Sequence, residues 1–257
     1  MKPTPLTLKK KLALELWRKQ EAIIREEHPL RQLFWECTLR CDLKCRHCGS
    51  DCKMQPESMD MPKEDFLRVL DSIAQKTDPH KVFVIVSGGE PLMRRDLEAC
   101  GRAIYEKGFP WGMVTNALHL TPQRWQGLLR AGIRSMAISL DGLEEDHNWM
   151  RGNENSFQMV SQALDMLVAT EGFVFDIVTC VNRRNYSKLD EIKESLTAII
   201  HLDTTFFTRL LQILKYPPEF LVGQPHHRIE GGTTYREDSK ETPTLHAFGY
   251  QELLNFI

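Results

Sequence analysis

Between residues 31 and 200 the chain alternates short apolar runs with stretches of helical period. Runs bounded by turn residues mark strands, and a three-to-four-residue apolar repeat marks a helix resting on a core. Leu33-Phe34-Trp35 reads as a first strand. Pro62 suits the first turn of a following helix, with Glu64 and Asp65 near its positive end. Phe66, Leu70, Ile73 and Ala74 give that helix an apolar face. Val82–Val86 is a continuous apolar run, as expected of a strand buried on both faces. Leu97, Cys100 and Ile104 mark a second helix, and Trp111–Val114 a third strand. Thr121-Pro122 opens a third helix carrying Trp125, Leu128 and Leu129. Ser135–Leu140 is a fourth strand, and Ser156 starts a helix with Phe157, Val160, Leu164, Leu167 and Val168 facing inward. Phe173–Val181 and Ser187–Ile200 complete a fifth pair.

Five βα units in succession imply a parallel sheet, either curled into a barrel or laid out as a doubly wound sheet. The order fades near residue 203. Residues 206–214 read as a sixth strand or a short helix, and 217–243 are rich in Pro, Gly, Thr, His and charge. So long a structureless loop is unusual in a compact domain. Residues 250–257 resemble the beginning of a helix cut short. Together these features predict truncation or a reading-frame disturbance near residue 203. At the other end, residues 8–26 form an amphipathic pattern with Ala13, Leu16, Trp17 and Ile24 on one face. A basic helix of this kind suits a membrane surface or a partner, but packing against the sheet is the simpler expectation.

Composition narrows the function classes. The chain has 257 residues, 42% hydrophobic and 26% charged, with a net charge of −2. That is ordinary globular composition, and it lacks the basic excess of a nucleic-acid-binding domain. No apolar run approaches the roughly 18 residues of a membrane span. The N-terminal stretch is basic, but Glu15 interrupts its apolar segment, which argues against a secretory signal. Five of the seven cysteines fall between residues 37 and 52. With no signal, that clustering predicts a reducing, cytoplasmic setting and metal ligation rather than disulfides.

The centre of the cluster reads Cys41-Asp-Leu-Lys-Cys45-Arg-His-Cys48. Three thiolates this close together suit zinc or iron–sulfur chemistry. A structural zinc site needs a fourth ligand, for which Cys37, Cys52 or His47 are candidates. An iron–sulfur cluster with three protein thiolates instead leaves one iron open. Cys100 and Cys180 fall on core faces and read as buried small hydrophobes.

The spacing C-x3-C-x2-C after a first strand resembles the signature of the radical S-adenosylmethionine (SAM) superfamily. Ser87-Gly88-Gly89-Glu90-Pro91 after the second strand resembles the family's GGEP segment. Asn116 ends the third strand, Ser139-Leu-Asp141-Gly142 the fourth, Arg151 follows, and Asn182 ends the fifth. The resemblance implies an α/β fold of the partial (β/α)6 TIM-like barrel type, with its C-terminal units incomplete. It divides the chain into an N-terminal helix (1–28), a core barrel (29–203) and an irregular C-terminal segment (204–257). It implies a 4Fe-4S cluster on Cys41, Cys45 and Cys48. It also implies SAM bound by Gly88, Gly89, Glu90, Ser139 and Arg151, with Asn116 near the cofactor, His47 beside the adenine, and Asn182 beside the adenine or substrate.

In that family one electron cleaves the sulfonium C–S bond, giving methionine and a 5′-deoxyadenosyl radical that takes a hydrogen atom from the substrate. The stretch WECTLRCDLKCRHCGSDC is similar to the peptide- and protein-modifying, SPASM-type subgroup, although no cysteine follows Cys180. The implied partners are a reductant such as ferredoxin or flavodoxin and a peptide or protein substrate. A small-molecule or tetrapyrrole precursor is the second enzymatic reading, and a non-catalytic zinc-binding module the alternative of another class.

Overall fold

The computed structural model describes residues 7–50, 52–56, 59–200 and 211–212. Six parallel strands form one sheet in sequential order: β1 (Gln32–Thr38), β2 (Phe83–Gly88), β3 (Trp111–Thr115), β4 (Ile133–Ser139), β5 (Val174–Val178) and β6 (Leu211–Gln212). Every crossover steps the same way along the sheet. Right-handed connections therefore put the crossover helices on one face. This is the singly wound, open-barrel solution rather than the doubly wound one.

The helices are α1 (Leu8–Glu27), α2 (Lys63–Ala74), α3 (Leu97–Glu106), α4 (Pro122–Arg130), α5 (Glu144–Arg151), α6 (Ser156–Val168) and α7 (Leu189–Ile200). Between them and the sheet lies the core. Trp35 of β1 stacks on Phe66 of α2 with centroids 4.0 Å apart. Gly101 of α3 lets Trp111 lie directly against the helix, since a Cβ there would come within 2.1 Å of the indole. Thr121 caps α4 by accepting from the Arg124 amide, with Pro122 in the first turn.

Several expectations change. β2 is not buried on both faces: Val84 and Val86 are sealed in the core while Phe83 and Ile85 are half-exposed. The cause is the one-sided helical cover. The ambiguous 206–214 stretch contributes Leu211–Gln212 to the sheet, paired with β5. The rest of the expectation for residues 203–257 falls outside the described residues. Among the described residues, α1 buries no side chain, and Leu8 and Leu16 are 73% and 68% exposed. At 3.6 residues per turn its apolar residues divide between two flanks separated by Lys9 and Gln20, so no single stripe faces the sheet. The apolar pattern does not predict the short helix α5. Its acidic first turn (Glu144, Glu145, Asp146) and left-handed terminator Gly152 explain it afterwards. No described helix is long and apolar enough to cross a membrane.

Candidate functional site

The C-terminal ends of β1–β5 meet in a network of loops. The Gly88-Gly89-Glu90 segment runs alongside the chain entering the cysteine loop: Gly89 N–H donates to Thr38 O and Glu90 N–H to Arg40 O, each at 2.8 Å. A Cβ on Gly88, whose φ is +133°, would lie 2.2 Å from Thr38 O, and one on Gly89 2.4 Å from Arg40 O. Both glycines are therefore required by chain against chain, before any ligand is considered.

Glu90 is buried and braces two strand ends. One carboxylate oxygen accepts from Leu92 N–H (2.9 Å) and the Thr115 hydroxyl (2.6 Å), and the other from Asn116 N–H (2.7 Å). Burial pushes its pKa up, and the Thr115, Asn116 and Leu92 donors pull it back. Asn116 turns its own side-chain oxygen to Leu118 N–H at 3.0 Å.

A second brace centres on buried Asp141. Its Oδ1 accepts from Cys180 N–H at 2.9 Å, and its carbonyl accepts from Asn185 Nδ2 at 2.6 Å. Its N–H donates to His147 Nδ1 at 3.1 Å, while His147 Nε2 meets the Ser156 hydroxyl at 2.9 Å. Oδ2 lies 2.8 Å from Arg151 Nε, an ion contact not aligned as a hydrogen bond. Arg151 also reaches Cys45 Sγ at 3.7 Å. It is thus a buried cation beside the cysteine loop, not a surface charge. Burial, with Arg151 beside it, pulls the pKa of His147 down to about 4. Asn182 is buried and caps its loop: its Oδ1 accepts from Arg184 N–H and its Nδ2 donates to Cys180 O. Ser139 is half-exposed at the end of β4.

The cysteine loop is tethered at three places. Cys41 N–H donates to Lys53 O at 3.0 Å, Leu43 is buried, and Arg46 bonds the carbonyls of Met150 (2.9 Å) and Trp149 (3.0 Å) in α5. Trp149 lies between the Arg46 and Arg184 guanidiniums, 4.5 and 4.8 Å from its ring centre. Cys41 and Cys45 are half-buried and Cys48 is exposed. His47 is half-buried near Asp141 and Arg151, with its Nδ1 sealed and unpartnered.

Among the described residues, however, no three Cys, His, Asp or Glu side chains converge as a metal site. Burial pushes the Cys41 thiol to about 12 and raises that of Cys45 against the pull of Arg151. A bound metal would draw out these protons, since the thiolate is the ligating form. The donor chemistry still fits an iron–sulfur cluster with one open iron. Three soft sulfurs sit on a single loop. Cys37 is sealed on the helix-covered side of β1 and is unsuited as a fourth ligand. Cys180 is half-buried at the end of β5, beside Asp141 and Arg151, rather than in the core.

The family model for the radical SAM superfamily matches residues 35–196. The chain belongs to the radical SAM superfamily. That superfamily uses a 4Fe-4S cluster with SAM and draws its electron from a reductant. Among curated relatives, an AdoMet-dependent heme synthase of Methanosarcina barkeri is 29% identical over 175 residues, covering 66% of this chain and 49% of the relative. An Fe-coproporphyrin III synthase of the same organism is 28% identical, over 63% of this chain and 40% of its own length. The chain thus spans half or less of these relatives. Streptococcus suis SuiB bound to S-adenosylmethionine shares the fold with a TM-score of 0.56 at 17% identity, over 82% of this chain and 51% of that one. SuiB has also been solved with its precursor peptide SuiA, with a TM-score of 0.56 at 18% identity, over 77% of this chain and 44% of that one.

Within this radical SAM domain, sequence reasoning missed three residues that build the site's frame: Asp141 as a hub, His147 and Asn185. The Asp-Gly pair at a strand end was the available signal for the first. No motif marks His147, which bridges Asp141 N–H and the Ser156 hydroxyl, or Asn185, which binds Asn182 N–H and Cys180 O in its own loop and crosses to Asp141 O at another strand end.

Proposed function

We propose that this domain reductively cleaves SAM and directs the resulting radical at a peptide or protein side chain in a reducing compartment such as the cytoplasm. When bound on Cys41, Cys45 and Cys48, the cluster supplies the single electron that cleaves the sulfonium. The protein's own part is placement. Gly88 and Gly89 keep their backbone against the cysteine loop, Glu90 locks the β2 and β3 ends, and Arg151 brings a guanidinium suited to the SAM carboxylate. His47, Asn116, Ser139 and Asn182 line the rest of the nucleotide site. An acidic one-electron carrier, ferredoxin or flavodoxin, is the proposed reductant.

The observation that carries this reading is the meeting of three separate motifs at one edge of the sheet. Gly89 abuts the Arg40–Cys41 backbone, and Arg151 reaches Cys45. The curated relatives favour a second reading, action on a tetrapyrrole precursor. Anaerobically reconstituted protein, given dithionite and SAM, is expected to release methionine and 5′-deoxyadenosine. Failure to release either, with the iron fully loaded, contradicts the proposal.

A further inference from the structure

The helices cover one face of the sheet, and the other face is open among the described residues. Strand register fixes which side chains stand on it. Phe34 aligns with Ile85, Ile85 with Gly112, Gly112 with Ser135, and Ser135 with Val174. Nearer the site, Glu36 aligns with Ser87, Val114 with Ala137, and Ala137 with Asp176; Ser139 and Val178 follow at the edge. Phe34, Val174 and Val178 are 62%, 55% and 45% exposed. Among the described residues, the only charged strand residues on this face are Glu36 and Asp176, one on each flank, and neither has a hydrogen bond or ion pair there. Small residues (Gly112, Ser135, Ala137) keep the middle shallow.

Building on the SAM-cleaving reading, we infer that this open face receives a peptide carrying basic side chains. These pair with Glu36 and Asp176, while apolar side chains cover Phe34, Val174 and Val178. Charge complementarity decides among occupants. A basic peptide neutralises both carboxylates, whereas an anionic porphyrin brings its own carboxylates to a face with no described strand cation. The face ends at Ser139 and Val178, beside Cys180 and Arg151, so a chain lying along it reaches the cofactor edge. Asp176 is partly screened from water, which raises its pKa and makes a cationic neighbour more favourable.

The test uses the full chain, reconstituted and SAM-loaded, and two fluorescein-labelled peptides of identical length: one alternating Lys and Leu, the other Glu and Leu. Anisotropy is expected to show the Lys peptide binding about tenfold tighter, with most of that preference lost in E36Q/D176N. Both carboxylates are exposed and have no hydrogen bond or ion pair among the described residues, so the substitutions remove no described contact. E106Q/E191Q, which neutralises two carboxylates on the helical side, is expected to keep the preference and so separates this face from general charge. SAM cleavage by the wild type is read in the same preparation. Its absence would count against the function proposed above while leaving the binding result interpretable. A preference that survives E36Q/D176N, equal binding of both peptides, or displacement of the Lys peptide by iron coproporphyrin III would overturn the inference.

Discussion

Two regions of the site stand in contrast. The braces around Glu90 and Asp141 are built within the fold: Glu90 accepts three hydrogen bonds, two of them from the β3 end, and Asp141 accepts from Cys180 N–H and Asn185 Nδ2 beyond β5, with its Oδ2–Arg151 Nε contact left as an unaligned ion pair. The cysteine loop is the reverse: its backbone is tethered, but its three sulfurs do not converge. The frame side chains are held by hydrogen bonds within the fold, whereas the three cysteine thiols are donors suited to a metal. That division follows from chemistry. A buried carboxylate costs several kcal/mol unless fully hydrogen-bonded, so it must be satisfied as the chain folds. A neutral thiol carries little such penalty when buried.

The largest expected effect falls on the loop. Alanine at Cys41, Cys45 or Cys48 should each abolish iron-dependent absorbance and SAM cleavage, with little change in the unfolding midpoint of the apo protein. Alanine at Cys37 or Cys52 should leave the iron content intact. Iron retained in any of the first three variants would erase the contrast.

The frame should respond in the opposite sense. Glu90→Ala strands three donors and is expected to lower apo stability by about 3 kcal/mol or more in denaturant titration. Asp141→Ala should cost about 2 kcal/mol through Cys180 N–H and Arg151. Equal stability of wild type and Glu90→Ala would show that the brace is not part of the folded framework.

The smallest effect is a pH dependence. The pKa of His147 is depressed to about 4 from an ordinary 6.5. The unfolded chain therefore takes up the proton first as pH falls. The stability associated with neutral His147 is present above about 6.5 and is lost on acidification toward 4. Between pH 7.5 and 5.5 the wild type should lose about 1 kcal/mol more than His147→Gln, at about 1.4 kcal/mol per pH unit of proton linkage. Identical losses would place the His147 proton elsewhere.

The strands and helices were legible because their periodicity is local. Val82–Val86, Trp111–Val114 and Ser135–Leu140 lie within a residue or two of the observed strands. The one-sided wrapping was not legible in β2, whose uninterrupted apolar run hides an alternation imposed by helices elsewhere. The cysteine spacing and the Gly-Gly-Glu segment stood out because each is a short contiguous motif. Their mutual contacts, and the links from Asp141 to Cys180 and Asn185, depend on pairings between separate strand ends that no local pattern encodes. The α1 helix shows the opposite failure: its pattern gave the helix correctly but not what it packs against.

The most direct measurement is Mössbauer and electron paramagnetic resonance spectroscopy of the anaerobically reconstituted protein with and without SAM. The expected result is about four irons per chain, one of them distinct from the other three, with a signal that changes when SAM is added. A single bound zinc, or a cluster whose four irons are equivalent and indifferent to SAM, would contradict the account.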